Sequence, residues 1–170
     1  DVVVGDVEIG AGETDAVRVI ARVARGLQEQ YPQIRYHITS GDGVDITEKI
    51  DRGLLDFGVL LETVDISKYD YLRLPMKDVW GVLMRRDAPL AERAAITPED
   101  LWEKPLIISR QTTGGSPLEK WMKRELDQWN IVATYNLIYN GSLMVEEGMG
   151  YAFSLETLIN TTGDSRLCFR

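Results

Sequence analysis

The sequence predicts an α/β protein with parallel sheets. Apolar segments of strand length alternate with segments whose apolar residues recur every three or four positions, and this alternation runs through both halves of the chain. Short turns rich in Gly, Ser or Thr follow most of the strand-like segments. Such an order of strands and helices is typical of βαβ units, in which the strands run parallel.

The first 61 residues are predicted as β-α-β-α-β. Val7–Ile9 forms a strand that enters a turn of small residues. The helix that follows is expected to begin at an N-cap, either Thr14 or Asp15, and to bury one apolar face. That face consists of Ala16, Ile20, Val23 and Leu27.

The next three segments complete this half. Ile34–Thr39 alternates apolar with polar residues, which predicts a strand at a sheet edge. The turn Ser40–Gly43 leads into a short helix, whose apolar residues are Val44, Ile50 and Leu54. Phe57–Leu61 is almost entirely apolar, so we expect a strand that is covered on both faces.

The second half begins with a long extended stretch, Tyr71–Arg85. In the sequence TPED, Thr97 can cap a helix, Pro98 takes its first position and Asp100 completes a capping box. Pro105–Ser109 is apolar and short, and it predicts a strand.

Ser116–Glu119 predicts a second capping box. Its helix is expected to bury Leu118, Trp121, Met122, Leu126 and Trp129. Ala133–Ile138 predicts a strand, and the following YNGS predicts a turn. A short helix, Leu143–Glu147, would end at Gly148, and the segment GYAFS would form another strand.

Composition excludes several classes of protein. The 170 residues carry 19 basic and 27 acidic side chains, a net charge of −8 that disfavours contact with a phosphate backbone. Cys168 and His37 are single residues of their kinds, so no disulfide framework, zinc spacing or Cys–His pair is expected. We expect neither a metal nor a cofactor. No apolar run approaches the roughly 20 residues that cross a bilayer.

The sequence has no initiator Met, has no charged-then-apolar leader before Asp1, and ends in RLCFR. We interpret it as a piece of a longer protein.

The loops after the predicted strands are candidate binding elements. In parallel sheets, ligands lie beyond the carboxyl ends of the strands, where helix N-termini offer amide groups. Five such loops are predicted, at residues 11–15, 40–43, 61–63, 110–116 and 140–142. Their candidate side chains include Glu13, Ser40, Arg110 and Asn140.

Simpler roles remain open for these residues. Thr14 or Asp15 would be explained by helix capping alone, and Glu13 by its position near a helix N-terminus. The segment RQTTGG could be a solvated connector.

The common catalytic motifs are absent from the sequence, and carboxylate pairs stay open as an alternative, although no spacing places two of them on one surface. GAGETD lacks the third Gly of a dinucleotide fingerprint, and no P-loop Lys or Gly-x-Ser-x-Gly elbow is present. His37 falls in the middle of a predicted strand, where it cannot serve the hydroxyls of SRQTTGGS as a base. The sequence therefore favours binding over catalysis.

Several segments resemble one known family. GDVEIGAGETDA, YPQIRYHITSG, IDRGLLDFGVL, DAPLAERAAITPEDLWEKPLI and SLMVEEGMGYAFSLETLI are similar, in order, to signature segments of the effector-binding (substrate-binding) domain of LysR-type transcriptional regulators. The resemblance runs from Gly5 to Arg170, and the ordered set is far more specific than any single segment.

This resemblance implies two Rossmann-like lobes joined by two crossover strands, similar to type II periplasmic binding proteins. Lobe I would span residues 1–73, lobe II residues 74–163, and residues 164–170 would form the return crossover to lobe I. The crossovers themselves would be 71–76 and 166–170, and the rest of lobe I would follow Arg170.

The family's inducer lies between the lobes. Its contact positions match Gly12, Thr14, Asp15, Leu61, Gln111 and Thr112 of this sequence. Many members carry a Ser/Thr-rich run at the first turn, whereas this chain has Glu13 and Asp15 there. The extra carboxylates disfavour a bare dianion, so the resemblance implies a small polar effector that is amine-bearing, zwitterionic or neutral.

The family also implies partners. Homodimers would form through the helix stripe Val17, Ala21 and Ala24 and the strand Ile34–Thr39, with a homotetramer in the full-length protein. DNA would be bound only by an N-terminal winged helix-turn-helix that this sequence lacks, and the protein would be cytoplasmic. An extracytoplasmic solute-binding protein and an enzyme on the same lobed fold are the alternatives.

Overall fold

The computed structural model describes residues 2–61 and 64–170. The described chain falls into two compact units, one ending at Lys77 and the other comprising Asp78–Arg170. The expected boundary at residue 73 and the return crossover at residues 164–170 stay predictions. Of the expected loop 61–63, only Leu61 belongs to the described residues. Within the described parts, no helix is long and apolar enough to cross a membrane.

The first unit has the predicted β-α-β-α-β order. Its described sheet contains three parallel strands in the order β2-β1-β3, which confirms the parallel sheet and places β2 at an edge. The elements are β1 (Val4–Ala11), α1 (Val17–Gln30), β2 (Gln33–Ser40), α2 (Gly43–Asp51) and β3 (Phe57–Val59).

The start of α1 differs from the prediction. The N-cap is Ala16, which makes no side-chain cap hydrogen bond, so neither Thr14 nor Asp15 caps this helix. The Thr14 hydroxyl instead accepts from the Ala16 amide at 3.1 Å, and Asp15 forms an ion pair with Arg18 at 3.1 Å. These local bonds shape a turn, and the helix begins only after it.

Burial in the first unit also departs from the sequence pattern. No residue of α1 is buried within the described parts of the chain, although Val23 and Leu27 were expected to face inward. Phe57 of β3 is 64% exposed, so the prediction that this strand is covered on both faces is wrong. The apolar anchor of α2 is Ile46, fully buried, and not Val44, which is 58% exposed.

The second unit contains a mixed sheet. Its five described strands lie in the order β6-β5-β7-β4-β8, with β5 parallel to β6 and β7, and β4 antiparallel to β7 and β8. The elements are β4 (Trp80–Arg85), α3 (Pro98–Leu101), β5 (Leu106–Ser109), α4 (Pro117–Met122), β6 (Ile131–Tyr135), α5 (Ile138–Glu146), β7 (Tyr151–Leu155) and β8 (Leu167–Phe169). Only Trp80–Arg85 of the expected extended stretch is strand.

Of the two predicted capping boxes, one is confirmed. The Thr97 hydroxyl accepts from the Asp100 amide at 3.4 Å, and the Asp100 carboxylate accepts from the Thr97 amide at 2.9 Å. At α4, the Ser116 hydroxyl accepts from the Glu119 amide at 3.2 Å, as predicted. The Glu119 carboxylate, however, accepts from the amides of Gly115 and Leu126.

These two backbone hydrogen bonds hold the pKa of Glu119 below its usual value. They also tie the loop before α4 to the chain after it. α4 ends early because Lys123 adopts a left-handed conformation, with φ 55°.

The segment Ala133–Ile138 is not a single strand. β6 ends at Tyr135 and α5 begins at Ile138, so Asn140 and Ser142 lie in a helix and the predicted YNGS turn is wrong. The reason is close packing at Gly141, where an added Cβ would lie 3.0 Å from the Tyr135 ring. Gly141 allows α5 to approach β6, and Gly148, with φ 84°, ends the helical segment as predicted.

Two apolar clusters form the core of the second unit. The first contains Met84, Leu101, Leu106, Met122 and Phe153, with Trp129 packed 5.7 Å from the Phe153 ring. The second cluster includes Leu83, Ile107 and Ala152, which alternate with residues of the first cluster along the same strands, and Val145 of α5. Trp121, which was expected inward, is 39% exposed.

The hydroxyl of Tyr36 on β2 is buried and has no hydrogen-bond partner among the described residues. Because an unpaired buried hydroxyl costs stability, Tyr36→Phe should leave the free energy of unfolding unchanged or raise it by up to about 1 kcal/mol. Tyr135→Phe is the matched control, since the Tyr135 hydroxyl donates to the Phe153 carbonyl at 2.7 Å. That substitution should lower stability by about 1 kcal/mol. Urea denaturation measures the free energy of unfolding of both variants. A larger loss of stability for Tyr36→Phe than for Tyr135→Phe would contradict this account.

Candidate functional site

The carboxyl ends of the three strands of the first sheet meet at one edge. Because β1, β2 and β3 are parallel, the residues that follow Ala11, Ser40 and Val59 emerge on the same side. Two backbone hydrogen bonds join the segments at the ends of these strands. The Gly41 amide donates to the Ala11 carbonyl at 3.1 Å, and the Gly12 amide donates to the Val59 carbonyl at 3.4 Å. We name this set, residues 12–15, 40–42 and 60–61, the first loop set.

Six predicted binding residues lie in the first loop set: Gly12, Glu13, Thr14, Asp15, Ser40 and Leu61. Thr14 is 7% exposed, and Gly12, Glu13 and Leu61 are half-buried. Asp15 and Ser40 are exposed. Gly12 has the space that a side chain would need, since a Cβ there would meet only the Gly41 carbonyl oxygen, at 3.7 Å.

The amides at the start of α1 are less available than expected. Those of Val17, Arg18 and Val19 already donate to the carbonyls of residues 14–16, at 3.0 to 3.3 Å. This turn therefore offers a ligand mainly the side chains of Glu13, Thr14 and Asp15, together with the backbone ahead of the helix.

Sequence reasoning gave too little weight to Asp42 in the first loop set. Its carboxylate accepts from the Asp45 amide at 3.1 Å, and its amide donates to the Asp45 carboxylate at 3.3 Å, which makes a capping box at α2. The spacing D-x-x-D in the sequence is the signal that could have identified it. Asp42 is 3% exposed, and its capping box fixes the start of α2.

The second unit has a corresponding edge. β5, β6 and β7 are parallel, and their carboxyl ends are Ser109, Tyr135 and Leu155. The Arg110 amide donates to the Tyr135 carbonyl at 2.9 Å, which joins the first two exits. We name residues 109–113, 136–137 and 156–157 the second loop set.

Arg110, Gln111 and Thr112 lie in the second loop set, as predicted. The loop folds back on Ser109, whose hydroxyl accepts from the Gln111 amide at 3.2 Å and whose carbonyl accepts from the Thr112 amide at 3.0 Å. Gln111 and Thr112 are half-buried, whereas Arg110 is exposed. The loop is therefore a folded turn, which argues against the alternative of a loose, solvated connector.

Asn140 does not belong to this set, because it lies within α5 and not in a loop. Sequence reasoning missed Ser109, Asn136 and Thr157, which are polar residues at the ends of three parallel strands. Thr157 adopts a left-handed conformation with φ 71°, which turns the chain sharply after β7. Their shared signal is a polar residue at the end of a strand or within two positions after it.

The charges of the two loop sets differ. The first contains the carboxylates of Glu13, Asp15 and Asp42, whereas the second carries the guanidinium of Arg110 and the carboxylate of Glu156.

The described residues contain no group of three or more potential metal ligands. His37 lies in β2, and its Nε2 is 2.9 Å from the Asp6 carboxylate. Hydrogen bonds from His37 and Arg35 hold the pKa of Asp6 below its usual value. His37 thus lies within β2, beside the ion pair of Arg35 and Asp6. It is not at a loop exit, as the sequence predicted.

Comparison with known proteins identifies the fold. The sequence matches the family model of the LysR substrate binding domain over residues 1–170. It is similar to the HTH-type transcriptional regulator YvbU of Bacillus subtilis (strain 168), with 26% identity over 153 residues, 89% of this chain and 51% of YvbU. The chain thus spans about half the length of this curated relative.

Two solved structures illustrate the likeness. HinK, a LysR family transcriptional regulator from Pseudomonas aeruginosa, has a TM-score of 0.69 at 20% identity, over 99% of this chain and 59% of HinK. The effector binding domain of QuiR in complex with shikimate has a TM-score of 0.73 at 14% identity, over 98% of this chain and 87% of that one. At these identities the likeness shows the fold, which confirms the expected type II periplasmic-binding-protein-like class.

Proposed function

The chain belongs to the LysR substrate binding domain family, and from that premise we propose that it senses a small molecule on behalf of a transcriptional regulator. The observation that carries the proposal is the presence, in each unit, of a folded loop set at the carboxyl ends of parallel strands. We propose that one effector contacts both loop sets, through Thr14 and its neighbours in the first and through residues 110–112 in the second.

The effector is proposed to be small and polar. Carboxylates in the first loop set and Arg110 in the second favour an amine-bearing, zwitterionic or neutral compound. The complex of the QuiR domain with shikimate supports the idea that this fold holds a small polar metabolite.

Sensing requires that the effector favour one arrangement of the protein over another. A ligand shifts such an equilibrium only by the difference between its affinities for the two arrangements. We propose that bridging of the two loop sets changes the quaternary arrangement of a longer, DNA-binding protein. DNA contact would belong to a winged helix-turn-helix outside this sequence, since this chain carries a net charge of −8.

The alternatives receive less support. The match to a family of transcriptional regulators favours this proposal over an extracytoplasmic solute-binding protein, and a cytoplasmic location follows from the proposed role. We propose that the domain binds its effector without transforming it, because neither loop set contains a His or Cys that could act as a base or nucleophile.

Native mass spectrometry of the complete chain tests this function. Incubation with a library of polar metabolites should give a one-to-one complex, from which the compound is recovered chemically unchanged. If no compound binds, or if the bound compound is converted through repeated turnovers, the sensing proposal fails.

We also propose that two copies pair through α1 and β2. Val17, Ala21 and Ala24 form an apolar stripe, and no residue of α1 is buried within the described parts of the chain. The edge strand β2 presents unpaired backbone groups, which pairing in a symmetric dimer would cover. A homotetramer is proposed for the full-length protein.

Ala24→Glu should weaken this pairing, because it places a charge in the apolar stripe. We expect at least a tenfold increase in the dimer dissociation constant, about 1.4 kcal/mol, measured by sedimentation equilibrium. Gln30→Glu, on the opposite side of α1, adds the same charge and should leave the constant unchanged. Equal effects of the two variants would argue against α1 as the interface.

A further inference from the structure

A groove of about 540 Å³ runs along one side of α5 in the second unit. α5 forms one wall, and the connection between β7 and β8, residues 156–166, forms the other. The residues that matter for its chemistry are Leu143, Glu146, Leu158, Ile159, Asp164 and Arg166. None of them belongs to either loop set, although Leu158 directly follows Thr157 of the second loop set.

The wall formed by residues 156–166 is already folded, although it contains no helix. Arg86 reaches it from the end of β4, and its guanidinium donates to the Thr161 carbonyl at 2.7 Å and the Leu167 carbonyl at 3.3 Å. The Ser165 hydroxyl donates to the Asn160 carbonyl at 2.7 Å, which closes a local turn. Since these bonds already fix the wall, a ligand would lose little free energy in ordering it.

The groove combines an apolar surface with acidic groups. Leu143, Leu158 and Ile159 supply the apolar part, while Glu146 and Asp164 supply two carboxylates. The Glu146 side chain is 34% exposed, and its ion pair with Arg166 is long, at 3.9 Å from Nε to Oε1. Arg166 is itself 75% exposed, so this pair is weak, and a ligand cation could approach the carboxylate more closely.

We propose that this groove binds a small amphipathic amine. The ammonium group would lie at Glu146 and Asp164, and the apolar body would lie on Leu143, Leu158 and Ile159. The volume falls in the range of about 300 to 1,000 Å³ that is usual for small-molecule sites. The protein would then carry a second ligand site, confined to one unit and independent of the proposed effector contacts.

Isothermal titration calorimetry of the complete chain with 2-phenylethylamine tests the proposal. We expect saturable one-to-one binding, and at least about tenfold weaker binding of 3-phenylpropionate, which has a carboxylate in place of the amine. Glu146→Gln should weaken amine binding about tenfold, because a hydrogen bond to a charged group is lost. Glu147→Gln removes the same charge one residue along, outside the groove, and should have no effect.

Leu143→Trp provides a second variant, since a larger side chain at this half-exposed position should fill the groove and abolish binding. The proposal is overturned if the amine does not bind saturably, or if Glu146→Gln and Glu147→Gln behave alike. Loss of amine binding in Thr112→Val would place the amine at the second loop set and would also overturn it. Failure of the effector proposal, in contrast, would leave amine binding at Glu146 intact.

Discussion

Ile46→Ala is expected to lower the free energy of unfolding by about 2 to 5 kcal/mol. Ile46 is fully buried in α2, and its side chain lies in space left open by three glycines at neighbouring strands. A Cβ at Gly10, Gly41 or Gly58 would lie 2.7, 3.3 or 3.0 Å from Ile46 atoms. The Ala variant would leave a cavity beside these glycines, and the size of the loss depends on how far the neighbouring side chains of Leu55 and Ile50 relax into it.

Ile131→Ala is the matched control, because it removes the same atoms from β6 at a position that is 38% exposed and outside the proposed dimer interface. It should change the free energy of unfolding by no more than about 0.5 kcal/mol. Urea denaturation of the complete chain, followed by circular dichroism, measures both. Similar losses for the two variants would show that Ile46 does not anchor the first sheet.

Thr112→Val is expected to weaken effector binding by about 1 to 3 kcal/mol, a roughly 5- to 150-fold increase in the dissociation constant. Thr112 is half-buried just beyond the carboxyl end of β5. The hydrogen bond from its amide to the Ser109 carbonyl holds it in the folded turn. Valine has the same shape, so the backbone bond should persist while the hydroxyl is lost. Thr14→Val should act in the same direction, but it also removes the acceptor of the Ala16 amide.

Thr134→Val serves as the control for Thr112→Val. Thr134 is exposed within β6 and lies outside both loop sets. Calorimetric titration with the identified effector should show wild-type affinity for this variant. An unchanged dissociation constant for Thr112→Val would remove Thr112 from the effector site.

The order of strands and helices could be predicted because local patterns determine it. Apolar periodicity located β1, β2, β5 and β7, and the capping box at Thr97 located α3. The parallel sheet of the first unit followed from the β-α-β-α-β order. Eight of the ten proposed site residues lie in loops after parallel strands for the same reason, and Ser40 is the last residue of β2.

Features that depend on tertiary contacts could not be predicted. YNGS has turn composition, but packing of Gly141 on Tyr135 keeps it in α5, so the placement of Asn140 in a loop was wrong. Glu119 has the spacing of a capping box, yet Gly115 and Leu126 supply better placed amides. The buried face of α2 depends on where the glycines of other strands leave space, which its own periodicity does not reveal.

A crystal structure of the complete chain with its effector tests most directly whether both units hold the molecule. We expect the effector within hydrogen-bonding distance of at least one residue among 12–15 and at least one among 110–112. An effector that contacts a single unit, or that binds away from both loop sets, would contradict the proposed sensing mechanism.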